Sequence, residues 1–196
     1  MDNILVIHGF NSGPGEKHSL LQNAFPTLKV HSPQLVNTPF EDIKTLQTFI
    51  DTHKNIHVVG TSLGGFYTMI LASMNKDRDD LYFYCINPLY SAYEHYSPKI
   101  NEVHVNFKTK ESFHITTVFT SELLTLQQSL LNSFPILANM YFYFGCKDTQ
   151  LNHSKLKEKI QSFNKPYNIL ITNEDHRHND LTYIIQQIKN NLVIWV

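Results

Sequence analysis

The sequence predicts an α/β fold: a mainly parallel central sheet with helices on both faces. Three observations carry that expectation. Short, bounded apolar runs at 4–7, 81–86 and 140–144 have the length and continuity of strands buried on both faces. Segments at 39–52 and 181–192 place apolar residues at helical spacing. Strand and helix alternate along the chain, with no internal repeat and no low-complexity linker.

Length and charge bound the rest. The 196 residues suffice for one domain, 1–196, with a sizeable buried core. A formal net charge of −1 with no block of one sign gives no electrostatic argument for nucleic acid or an anionic membrane. No apolar run approaches a membrane span. Met1-Asp2-Asn3 leads straight into the first strand, without a basic segment or a cleavage site, so a cytoplasmic location is expected. Cys85 and Cys146 form no metal-binding spacing, and Cys85 reads as a buried apolar residue. No metal or cofactor is expected.

The first strand, 4–7, ends in His8-Gly9-Phe10-Asn11-Ser12-Gly13-Pro14-Gly15, a loop of turn formers. A short helix at 18–24 and a strand at 28–31 follow, stopped by Ser32-Pro33. The helix at 39–52 puts Phe40, Ile43, Leu46 (or Gln47) and Ile50 on one face. The next strand, 56–59, runs into Gly60-Thr61-Ser62-Leu63-Gly64-Gly65 and then a helical pattern at 66–72. That is the G-x-S-x-G pattern in its required strand–turn–helix setting. A serine standing clear of a sheet edge needs a very sharp turn, and only small residues fit two positions before and two after it. The free N–H groups at the helix start favour developing negative charge beside Ser62.

A charged turn at 76–80 leads to the strand 81–86, ended by Asn87-Pro88. Residues 89–135 have mixed periodicity and many aromatic residues. They are expected to form an insertion after the fourth strand and a cap over the site, with a helix at 122–131 and extended pieces at 103–107 and 114–119. The sheet resumes at 140–144 and turns at Gly145-Cys146-Lys147-Asp148. An amphipathic helix at 151–163, a last strand at 167–172, a loop at 173–178 and a closing helix at 181–192 complete the chain. That closing helix aligns Leu181, Ile184, Ile185, Ile188 and Leu192.

A serine hydroxyl needs a base within hydrogen-bond reach, and the base needs an orienting acid. Groups on loops at the carboxyl ends of the strands, in the order serine, acid, histidine, meet that need. Ser62, Asp148 and His176 stand in those places. Asp175 and Glu174 are alternative acids, but they adjoin His176 and would point elsewhere. His178 is the alternative base, and with His176 it also spells an H-x-H metal pattern that lacks a third ligand. The loop after the first strand should supply a second oxyanion donor, which nominates the Phe10 N–H beside that of Leu63.

His8-Gly9-Phe10-Asn11-Ser12 with Lys17, Pro33-Gln34-Leu35, Gly60-Thr61-Ser62-Leu63-Gly64-Gly65-Phe66-Tyr67 and Asn87-Pro88 resemble the YqiA-type family of small bacterial serine esterases. The likeness runs to about Pro88 and returns at Gly145–Asp148 and Asp175–Arg177. It implies a three-layer α/β-hydrolase fold and a serine esterase acting on a small ester or thioester. It places nucleophile, acid and base on Ser62, Asp148 and His176, and the oxyanion donors on Phe10 and Leu63. Three features depart from the family pattern: Asn173 and Glu174 replace glycines before the histidine, Cys146 and Lys147 separate the glycine from the acid, and the segment 89–135 matches poorly. A hydrolase fold kept as a ligand-binding or signalling module is the alternative. Oligomeric state is not legible.

Overall fold

The computed structural model describes residues 2–106, 108–135, 137–163 and 168–192. In chain order its elements are β1 (Asn3–Ile7), α1 (Glu16–Ala24), β2 (Lys29–His31), α2 (Pro39–Thr52), β3 (Ile56–Thr61), α3 (Leu63–Met74) and β4 (Leu81–Ile86). Then come α4 (Ala92–Tyr96), β5 (Val103–Val105), β6 (Ser112–His114), α5 (Thr117–Asn132), β7 (Met140–Gly145), α6 (Ser154–Gln161), β8 (Asn168–Thr172) and α7 (Thr182–Leu192). Six strands make one sheet in the order β2-β1-β3-β4-β7-β8. All of its pairings are parallel.

Alternation along the strands sorts the core into two layers. Leu5, Ile7, Val58, Phe83 and Phe142 face α2, α3, α5 and α6, whose Leu46, Phe66, Leu123 and Leu156 are fully buried against them. Ile4, Val6, Val59, Tyr84 and Ile86 face α1 and α7, through Leu21, Ile184 and Ile188. The chain leaves β1 toward one face and the adjacent β3 toward the other. Their carboxyl ends therefore open a crevice, the place where such sheets bind ligands.

The expected frame is present, with differences at the edges of elements. Phe40 does not join the buried face of α2; it lies in the first turn and is 45% exposed. The piece expected to be extended at 114–119 instead starts α5, because Thr116 caps that helix, its Oγ1 accepting from the Phe119 N–H at 3.1 Å. The short strand pairing with β5 is β6, and the two form a separate antiparallel hairpin. Helix α6 starts at Ser154 rather than 151, because the preceding backbone wraps around Asp148. Phe107 and Tyr167, both placed in strands by the sequence reading, lie outside the described residues.

Candidate active site

Ser62 sits between β3 and α3 at φ 57°, ψ −118°, a backbone conformation that L residues rarely adopt. None of the glycines has a positive φ. The strain is therefore carried by the serine, and the glycines supply space. A Cβ on Gly60 would strike the Gly64 carbonyl and the Thr68 hydroxyl. One on Gly64 would strike the carbonyls of Ile7 and His8, and one on Gly65 would lie 2.9 Å from Pro88 Cα. The turn is locked from both directions: the Ser62 N–H donates to the Ile86 carbonyl at 3.0 Å, and the Ser62 carbonyl accepts from Phe66 at 3.1 Å and Leu89 at 3.0 Å.

Three loops bring the other groups to this turn. His176 Nε2 lies 3.2 Å from Ser62 Oγ, and its Nδ1 lies 2.8 Å from Asp148 Oδ2. An ionised carboxylate can only accept, so Nδ1 carries the proton and Nε2 is left to accept the serine hydroxyl. The Asp148 side chain is fully buried. Burial alone would raise its pKa, but hydrogen bonds from His176, from His153 and from the Gln150 N–H outweigh it and hold the carboxyl below its ordinary value. Cys146 and Lys147 are accommodated by a tight turn. The Cys146 N–H donates to Thr172 at 2.9 Å, Lys147 to Glu174 at 3.0 Å and Asp148 back to Gly145 at 3.2 Å.

The alternative residues have other duties. Asp175 Oδ1 accepts the N–H groups of Arg177 at 2.8 Å and His178 at 3.3 Å. Glu174 Oε2 accepts those of Asn179 and Asp180. Both acids shape the histidine loop. His178 is buried, with its ring edge-on to Tyr143. Among the described residues, no cluster of three or more metal-ligating side chains occurs.

The β1 loop faces Ser62 closely, the Cβ position of Gly9 being 3.5 Å from Ser62 Cβ. His8 Nδ1 lies 2.9 Å from the Gly9 carbonyl, and His8 Nε2 accepts the Leu35 N–H at 3.2 Å. Its tautomer is thereby fixed, with the proton on Nδ1. Burial keeps this imidazole neutral, lowering its pKa against the Gly9 carbonyl. In a trans peptide the C=O and the next N–H point opposite ways. Pinning the Gly9 carbonyl thus aims the Phe10 N–H away from His8. Leu63 opens α3, so its N–H has no intrahelical acceptor.

A cleft of about 670 Å³ lies over Ser62 and His176. Tyr96, Lys99 and His104, from the segment between β4 and β7, line part of it. The same segment holds the Phe10 ring, which meets Tyr96, Phe113 and Phe119 at centroid distances of 4.9–5.6 Å.

Two residues that touch these groups escape a reading of the sequence. Asn87, at the end of β4, accepts the Gly145 N–H at 2.7 Å through Oδ1 and donates through Nδ2 to the carbonyls of Asp175 and His176. It ties the acid turn to the histidine loop, yet as Asn87-Pro88 it reads only as a strand terminator. His153 Nε2 lies 2.9 Å from the same Asp148 oxygen that His176 Nδ1 meets. The one signal for it is a histidine five residues beyond an acid, at the start of a helix.

A family model described as "Uncharacterised protein family (UPF0227)" matches residues 3–192. No curated protein sequence matches the chain. Solved structures do. Mouse alpha/beta hydrolase domain-containing protein 10 is similar with a TM-score of 0.73 and 17% identity, over 99% of this chain and 90% of that one. Est1E from Butyrivibrio proteoclasticus gives 0.69 and 13%, over 98% and 87%. FphF from Staphylococcus aureus, described as a fluorophosphonate-binding serine hydrolase, gives 0.63 and 14%, over 98% and 82%. At these identities the likeness is one of fold, and the fold is that of the α/β hydrolases. Among the described residues, no helix is long and apolar enough to cross a membrane.

Proposed function

The chain belongs to the UPF0227 family, the YqiA family, and within that frame we propose that it is a serine esterase cleaving a small carboxylic ester or thioester through an acyl-enzyme. The observation that carries this reading is the unbroken path from Ser62 Oγ through His176 to Asp148. His176 takes the serine proton as Ser62 Oγ attacks the acyl carbon. The Phe10 and Leu63 N–H groups hold the oxyanion that forms. Protonated His176 then gives its proton to the departing alcohol or thiol, and the acyl group stays on Ser62. In the second half His176 deprotonates water, which attacks the acyl carbon and frees Ser62. Asp148 holds the imidazole in the needed tautomer and stabilises its cation in both halves.

The segment 89–135 serves as a cap in this reading. Its Tyr96 walls the cleft and, with Phe113 and Phe119, grips Phe10, so the segment couples substrate contact to oxyanion geometry. The cleft volume suits a small molecule. FphF binds fluorophosphonates, and such a probe tests this chain directly. Wild type should be labelled, while Ser62→Ala and His176→Ala should not. Ser62→Ala should also lower kcat on a short-chain ester by about 10⁴- to 10⁶-fold. A folded wild-type protein that resists the probe and hydrolyses no short-chain ester would instead support a ligand-binding module.

A further inference from the structure

We propose that His153 is a positioning residue that grips the same Asp148 carboxylate oxygen as His176 and thereby sets the basicity of His176; this rests on the serine-esterase reading. The geometry is a carboxylate with every acceptor position in use. Oδ1 takes the N–H groups of Gln150 at 2.9 Å and Leu151 at 3.1 Å. Oδ2 is shared by two imidazoles, His176 Nδ1 at 2.8 Å and His153 Nε2 at 2.9 Å. The His153 side chain is only 6% exposed, and its ring packs on Phe144 at 5.1 Å.

Chemistry fixes the state of the second imidazole. Ionised Asp148 can only accept, so His153 Nε2 bears a proton. Burial favours the neutral ring and outweighs the pull of Asp148. Lys157, one turn into α6, and His176 also disfavour a cation there. His153 therefore acts as a neutral donor. It steadies Oδ2 when His176 turns between serine and leaving group, and it draws charge from Oδ2 without adding a positive charge that would repel the His176 imidazolium. Groups facing His176 among the described residues include Asp148, the Ser62 hydroxyl, His153 and, from the insertion, His95; both of these histidines lie near enough to feel its charge.

Two substitutions separate the donor from the packing. His153→Phe keeps a ring against Phe144 and removes the N–H. His153→Gln returns an amide donor at about the position of Nε2. For His153→Phe, kcat on a short-chain ester should fall roughly 10- to 100-fold with KM within about twofold. More charge would then remain on Oδ2, so the acid limb of kcat/KM should move to higher pH. His153→Gln should recover most of both. An unchanged kcat, a limb that stays or moves down, or a Gln variant as impaired as Phe would overturn the proposal. Imidazole ¹⁵N spectra give a readout that needs no turnover: His153 should be protonated on Nε2 alone, and the His176 midpoint should rise in His153→Phe. If wild type hydrolyses nothing but these shifts appear, the esterase reading fails and the positioning role stands. A His153 protonated on Nδ1 would overturn the role whatever the activity.

Discussion

The proposed nucleophile, Ser62, and the proposed acid, Asp148, are held by opposite physical means. Ser62 is fixed by sterics: two backbone segments approach so closely that no Cβ fits at Gly60 or Gly64, and the serine itself bears the unfavourable φ. Asp148 is fixed by hydrogen bonds: four donors, two backbone and two imidazole, converge on a carboxylate in ordinary turn geometry. The first arrangement is all or nothing, because carbonyls of β1 cannot move without unzipping β1 from β3. The second is graded, because donors can be withdrawn singly. Changes at the elbow should therefore lose structure and activity together, while changes at the acid should lose activity alone.

Gly64→Ala tests the steric half. Its new methyl would meet the backbone carbonyls of Ile7 and His8, not a side chain that can swing away. Overpacking commonly costs 1–3 kcal/mol, and with rigid neighbours about 3 kcal/mol or more is expected. For a chain of this length that is a fall in Tm of roughly 6–12 °C, read by calorimetry, with esterase activity lost in parallel. A variant that melts like wild type would remove the steric account of the elbow.

Asp148→Asn tests the other half. The amide can make much the same shape but can donate to His176 Nδ1, which favours the wrong tautomer. A fall in kcat of about 10⁴-fold with little change in Tm is expected. Asp175→Asn should stay within about threefold of wild type, since its Oδ1 only accepts loop N–H groups and an amide oxygen can do the same. The reverse ranking would move the acid role to Asp175. His8→Ala comes next. Releasing the Gly9 carbonyl frees the peptide that carries the Phe10 N–H, so kcat should fall about 10- to 100-fold, up to the loss seen when one oxyanion donor is removed. If stability drops but kcat does not, the insertion's grip on the Phe10 ring suffices to hold that peptide.

The same contrast explains what could be read from the sequence. Steric demands leave a compositional trace. Only glycine fits at 60, 64 and 65, so Gly60-Thr61-Ser62-Leu63-Gly64-Gly65 announces the elbow, and continuous apolar runs announce the parallel sheet. Convergent hydrogen bonds leave almost none. Asn87 and His153 are ordinary residues for a strand end and a helix start, and their partners lie 58 residues away at Gly145 and five at Asp148. Position after a strand separated Asp148 from Asp175, but what holds each carboxylate required coordinates. The segment between β4 and β7 is the least legible part of the chain. Its strands are three residues long, too short for a period to register, and the start of α5 depends on the Thr116 cap.

The smallest expected effect lies one layer beneath the loop proposed to hold the oxyanion, where a charge is buried in support of geometry. Asp42 on α2 is 2% exposed, and its Oδ1 accepts the Val36 N–H at 2.8 Å, beside the Leu35 N–H that His8 accepts. Burial lifts its pKa from 3.8 to about 6, against the pull of the Val36 N–H. Because the folded value is the higher one, the folded protein binds more protons between those limits. Protonation thus favours folding at low pH, and that contribution is lost as pH rises through about 6, a difference of up to ~3 kcal/mol. Asp42→Asn keeps an acceptor for Val36 without the charge. It should be more stable than wild type at pH 7 by about 1–2 kcal/mol, with the gap closing toward pH 4. Urea midpoints of the two proteins across that range isolate Asp42 from the chain's 11 histidines, whose titration is common to both. A gap that is absent at pH 7, or that widens on acidification, would mean that hydrogen bonds offset the cost of burying this carboxylate, and that the ground beneath the His8–Phe10 loop is held as Asp148 is.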